Sequence, residues 1–124
     1  MIKVRIYTTG RCKERWLQEA LAEYEKRLTG QMEIEWILDI QKITPPWIAL
    51  DPNGELVSSP AKKLSKFGSR LNFLIGGPDG IEKNLLEKSA WIWSLSPLTF
   101  THQMTRLILL EQLYRINAPS QYQK

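Results

Sequence analysis

Hydrophobic periodicity switches back and forth between strand-like and helix-like spacing along this chain, and that alternation limits the fold more than any other feature. Residues 2–8, IKVRIYT, put Ile2, Val4 and Ile6 on one side of a first strand. Residues 13–28 then carry Trp16, Leu17, Ala20, Leu21, Tyr24 and Leu28 at helical spacing, with Gly30 as the stop. EIEWILD (33–39) predicts a second strand and WIALD (47–51) a short third, ended by the turn sequence Asp51-Pro52-Asn53-Gly54. SSPAKKLSKFG predicts a short helix, RLNFLIGG an apolar fourth strand, IEKNLLEKSA a helix and WIWSLS a fifth strand. Residues 103–116 predict a last helix, with Glu111 and Arg115 in the favourable i,i+4 order. In a chain of 124 residues this predicts one α/β domain, residues 1–124, with a mostly parallel five- to six-stranded sheet and helices on both faces. Trp16, Trp36 and Trp93 fall at positions that read as core.

The first ten residues alternate charged and apolar side chains and lack the apolar run of a signal peptide. No later window approaches a membrane span, so a cytoplasmic protein without a membrane partner is expected. Cys12 is the only cysteine, which excludes an internal disulfide and a cysteine-built zinc site; no metal is expected. The net charge is +4, with Arg11, Lys13 and Arg15 near the start, Lys62, Lys63, Lys66 and Arg70 in the middle, and Lys124 at the end. A polyanionic partner suits this distribution.

In a parallel α/β sheet, ligands bind beyond the carboxyl ends of the strands. Three of those ends carry unusual residues: Leu50-Asp51 with its Pro-Asn-Gly turn, Gly76-Gly77-Pro78-Asp79-Gly80, and Ser96 to Thr101. Such loops suit a cleft that grips a small molecule with backbone groups, and they would equally serve as three ordinary strand-ending turns. Neither the dinucleotide-binding G-x-G-x-x-G nor a phosphate loop is present.

The blocks LIGGPDG, WSLSPLTFTHQMTR and LLEQLYR resemble the signature segments of the ribosomal large-subunit pseudouridine N3-methyltransferases, the RlmH family of trefoil-knotted SPOUT methyltransferases. EYEKRL (23–28) and LDPNGELVSS (50–59) are similar to that family's earlier segments, so the likeness covers nearly the whole chain. The resemblance implies a fold whose C-terminal part threads a trefoil knot, S-adenosyl-L-methionine bound there, a homodimer, and methyl transfer to N3 of a pseudouridine in helix 69 of 23S rRNA. By position it implies cofactor contacts at Leu50, Gly76, Gly77, Ser96, Pro97, Leu98, Thr99, Phe100 and Thr101. His102, Arg106 and Tyr122 become the catalytic candidates, and Arg115 and Lys124 the RNA contacts. Two readings stay open beside these, because Arg115 could simply satisfy Glu111 and His102 could cap or pack its helix. The chain departs from the family pattern twice. It ends Tyr122-Gln123-Lys124 where relatives carry Tyr-His-Arg or Tyr-His-Lys, and only IQKITPP stands where a further helix is usual. The resemblance therefore also admits a second function, a protein that binds S-adenosylmethionine and the ribosome but methylates slowly or not at all.

Overall fold

Alternating apolar residues on β1 (Ile2–Tyr7) and β4 (Arg70–Ile75) divide the molecule into two cores, one on each side of the sheet. The structure, a computed structural model, describes residues 1–117. Together with β2 (Met32–Ile37), β3 (Ile48–Glu55) and β5 (Trp91–Trp93), these strands form a five-stranded sheet in the order β2-β1-β4-β3-β5, parallel throughout. Val4, Ile6, Leu71, Phe73 and Ile75 face α1 (Arg15–Leu28) and α4 (His102–Asn117), which supply Leu17, Leu21, Leu28, Leu109, Leu110 and Leu113 to the main core. The two helices also meet directly. Tyr24 and Tyr114 pack edge to face at 5.7 Å, and the Arg27 guanidinium lies 5.7 and 5.6 Å from their ring centroids.

The opposite face is covered more thinly. Tyr7, Trp47 and Leu74 are buried there under Ile37, the 3-10 turn Ile40–Lys42 and α3 (Lys83–Glu87), where Leu85 packs on them. Helices do lie on both faces, as expected, and the short 3-10 turn Ile40–Lys42 falls within the IQKITPP stretch. The rest of this face is polar, with Arg5 paired to Glu35 at 3.3 Å on the neighbouring strand. Asn72 Nδ2 donates to the carbonyls of Thr44 and Pro46, tying the loop before β3 to the sheet.

The strands and helices arise where periodicity predicts them, with two corrections. First, the Asp51-Pro52-Asn53-Gly54 sequence does not end the third strand. Asp51 accepts a hydrogen bond from the Asn53 amide at 2.9 Å, the chain bulges, and Glu55 rejoins the ladder opposite Trp93. Gly54 is required there, because a Cβ would lie 2.6 Å from the Ile92 carbonyl oxygen. Beyond the bulge, Glu55 accepts from the Trp91 indole at 2.8 Å and pairs with Lys63 of α2 (Pro60–Leu64) at 3.1 Å. Second, Trp16 is not core. It is 55% exposed, because Leu17 and Leu21 define the inward stripe of α1 and leave its neighbour to solvent. Trp93 is buried as expected, and Trp36 is half-buried.

Leu109 is fully buried between α1 and the sheet, whereas Leu98 is 67% exposed. Leu109→Ala is expected to cost about 2–5 kcal/mol in chemical denaturation. Leu98→Ala should stay within about 0.5 kcal/mol of the parent protein.

Candidate functional site

Strands β4, β3 and β5 are neighbours and parallel, with Leu50 of β3 opposite Ile75 on one side and Trp93 on the other. Their carboxyl ends therefore open onto one place, and the three loops singled out from the sequence meet there. They enclose a cleft of about 660 Å³, within the range of small-molecule sites. Leu50, Gly76, Gly77, Ser96, Leu98, Thr99, Phe100, Thr101 and His102 all line it. Pro97 does not, although both its neighbours do. Ile75, Ile81, Leu95 and Thr105 line the cleft without having been singled out. Ile75 and Leu95 belong to strand ends whose apolar residues read as packing; Thr105 could have been found, being four residues past Thr101 on one helix face.

The glycines have definite neighbours. A Cβ on Gly76 would lie 2.5 Å from the Gly80 carbonyl carbon and 2.8 Å from the Ile81 amide nitrogen, so the turn closes on its own backbone. The Gly80 amide donates to the Gly77 carbonyl at 3.0 Å, completing that closure. A Cβ on Gly77 would instead meet Thr9 Oγ1 at 2.8 Å. The three-glycine corner is thus demanded by the chain itself: Gly76 for the closure of the turn, Gly77 for the loop after β1, and Gly80 for its left-handed φ of +81°.

Most hydroxyls of the third loop hold the loop rather than facing a ligand. Ser96 Oγ accepts from the Leu98 amide at 3.0 Å, and Ser94 Oγ donates to the Ser96 carbonyl at 2.9 Å. Thr101 Oγ1 accepts from the Met104 amide at 3.1 Å and caps α4, while Thr105 donates back to the Thr101 carbonyl at 3.0 Å. What remains for a ligand is the Thr99 hydroxyl, loop backbone groups, the Asp51 carboxylate oxygen not engaged by Asn53, and apolar walls from Leu50, Ile75, Ile81 and Leu98.

The cationic candidates separate. Arg106 is 3% exposed and does not line the cleft. Its Nη2 donates to the carbonyls of Thr9 at 2.8 Å and Gly10 at 2.7 Å, and its guanidinium lies 5.9 Å from the centre of the Trp36 ring. Among the described residues no carboxylate pairs with it, and burial pulls its pKa below the ordinary arginine value. Arg115 is exposed and pairs with Glu111 along α4. His102 lies on the cleft wall, its Nε2 3.2 Å from the Gln103 amide nitrogen; with that nitrogen donating, Nε2 accepts and the ring proton sits on Nδ1. Tyr122 and Lys124 lie outside the described residues.

Because Thr9 Oγ1 is the obstacle at Gly77, Gly77→Ala should weaken ligand binding in the cleft, and adding Thr9→Ala should restore most of the loss. Calorimetry on the two single variants and the double variant measures that coupling, expected at about 0.5–3 kcal/mol. Additive effects would mean that the Gly77 side faces the ligand instead. Gly76→Ala should cost about 1–3 kcal/mol of stability whatever stands at position 9, since it strikes backbone.

Comparison with known proteins bears on what this cleft is for. A family model described as "Predicted SPOUT methyltransferase" matches residues 37–122. Among curated relatives, the "Ribosomal RNA large subunit methyltransferase H" of Protochlamydia amoebophila (strain UWE25) is 44% identical over 142 aligned positions, covering 100% of each chain. The proteins of the same name from Prochlorococcus marinus strains MIT 9303 and MIT 9313 are 40% and 37% identical, covering 90% and 94% of this chain and 83% and 91% of their own. With a family match over more than half its length and relatives this similar end to end, the chain belongs to the SPOUT methyltransferase family.

Proposed function

We propose that this methyltransferase uses S-adenosyl-L-methionine to methylate N3 of a pseudouridine in helix 69 of 23S rRNA, as a cytoplasmic homodimer. The observation that carries the reading is the cleft, formed where three adjacent strand ends meet and lined by the blocks that carry the family resemblance. The relatives' names supply the substrate class, large-subunit rRNA.

The residues present fit the cofactor. The cleft has the volume of a small-molecule site, apolar side chains suited to an adenine ring, and loop backbone groups for its edge. Asp51 adds a carboxylate to the cleft wall, which suits a ligand carrying positive charge. When bound, S-adenosylmethionine supplies the electrophilic methyl group. Leu50 and Leu98 would hold the purine, the 98–100 backbone its nitrogen atoms, and the glycine turn the amino-acid part. An imide nitrogen attacks only after losing its proton, and the His102 imidazole on the wall would accept it at Nε2 once the Gln103 contact is released. Arg106 acts by holding the Thr9–Gly10 turn, and Arg115, exposed and paired with Glu111, would add a phosphate contact.

Dimer formation draws support from α4. Leu109, Leu110 and Leu113 are buried, while Met104 and Ile108 are half-buried and belong to neither core, available to a second copy. The trefoil-knotted crossing belongs to the same proposal, resting on the family. Among the described residues no helix is long and apolar enough to cross a membrane, and no cluster of His, Cys, Asp and Glu could hold a metal.

Labelled S-adenosylmethionine and large ribosomal subunits lacking the modification provide the test, followed by mapping of the product. The expected product is a methyl group on pseudouridine N3; label on another nucleotide contradicts the specificity. Absence of transfer with intact cofactor binding favours the second reading, for which Gln123 is the motivating residue because an amide cannot carry away a proton. Gln123→His is accordingly expected to raise single-turnover methyl transfer by at least about tenfold without changing cofactor affinity.

A further inference from the structure

Trp16 is a large aromatic side chain on the first turn of α1 that the fold leaves 55% exposed. The residues just before it, Arg11 and Lys13, are exposed cations with no ion pair among the described residues. The intervening Glu14 is exposed, and Arg15 is engaged by Glu19 at 3.2 Å. None of this is needed by the core.

The segment sits beside the cleft. β1 pairs in parallel with β4, so the loop leaving β1 emerges at the same end of the sheet as Gly76 and Gly77. Thr9 Oγ1 abuts Gly77, as the 2.8 Å approach to its would-be Cβ shows. The loop is also held firmly. Arg106 takes the Thr9 and Gly10 carbonyls, the Gln103 amide nitrogen reaches the Arg11 carbonyl at 3.4 Å, and Gly10 turns the chain at φ +77°. The α4 turn that fixes this loop carries His102 and Thr105 into the cleft. A buried guanidinium spent on loop carbonyls thus ties the position of Arg11 and Lys13 to that of the methyl-transfer site.

We infer that the segment Thr9–Trp16 is the surface on which substrate RNA docks, Arg11 and Lys13 contacting phosphates beside the target nucleotide and Trp16 stacking on an unpaired base. Arg106 is the positioning residue of this surface. Exposed cations next to an exposed indole are what single-stranded RNA requires: charge for its backbone and a flat apolar face for a splayed base. The inference rests on the proposed rRNA substrate and adds where that RNA is gripped.

Three exposed side chains allow a test that leaves the core intact. Binding of the protein to large ribosomal subunits is measured against salt concentration for the parent chain, Arg11→Ala/Lys13→Ala and Trp16→Ala, with calorimetry of S-adenosylmethionine and light scattering alongside. The double variant is expected to lose roughly tenfold or more in affinity, and its log–log salt dependence should be shallower by about two. Trp16→Ala should lose about five- to a hundredfold with an unchanged salt slope. Cofactor affinity should be the same in all three proteins, and in the transfer assay KM for ribosomes should rise while kcat holds. Parent-like affinity and slope in both variants would overturn the inference, as would a fall in cofactor affinity or a loss of dimer that accounts for the defect. If the parent chain binds and methylates the subunits while the variants match it, only this surface is wrong; a parent chain that does not engage the subunits removes the rRNA reading itself.

Discussion

Parallel pairing of β3 with β4 on one side and β5 on the other is the constraint from which the site follows. Parallel neighbours end at the same edge, so three segments far apart in sequence must deliver their following loops to one place. The apolar residues that hold the sheet together, Leu50 at the β3 bulge and Ile75 at the end of β4 among them, also line the cleft. Core and site are continuous, and the rigidity that a small-molecule site needs comes from the sheet rather than from the loops.

Arg106 is the second element on which the arrangement depends. A guanidinium this deeply buried with no carboxylate partner among the described residues is costly, and two short hydrogen bonds to carbonyls together with the face of Trp36 offset part of that cost. Burial lowers its pKa, yet an arginine starts so high that it stays charged at neutral pH. The charge is therefore used inside the molecule to join the first loop to the last helix across 96 and 97 residues of sequence. That junction brings the segment after β1 to the cleft.

Local patterns made the strand and helix order legible, along with the three loops and most of the cleft lining, because period-two and helical spacing report directly on which side chains face a core. What escaped was set by tertiary contact. Asp51-Pro52-Asn53-Gly54 reads as a terminator, but pairing of Glu55 with β5 draws the chain back into the ladder. Trp16 reads as core by residue type, whereas Leu17 and Leu21 fix the helix face and leave it outside. Arg106 reads as a catalytic candidate until the carbonyls of Thr9 and Gly10, which no helix-local pattern reveals, are seen to occupy it. The glycine corner was located correctly for a different reason: its missing side chains make room for Gly80, Ile81 and Thr9.

The central claim is that the cleft at the ends of β3, β4 and β5 holds the methyl donor. An amide chemical-shift titration with S-adenosylmethionine addresses it residue by residue. The account predicts saturable shifts concentrated at Gly76, Gly77 and the Leu98 to Thr101 amides, with those at the opposite end of the sheet, such as Lys3 and Arg70, unmoved. Shifts concentrated elsewhere, or none at millimolar ligand, would contradict it.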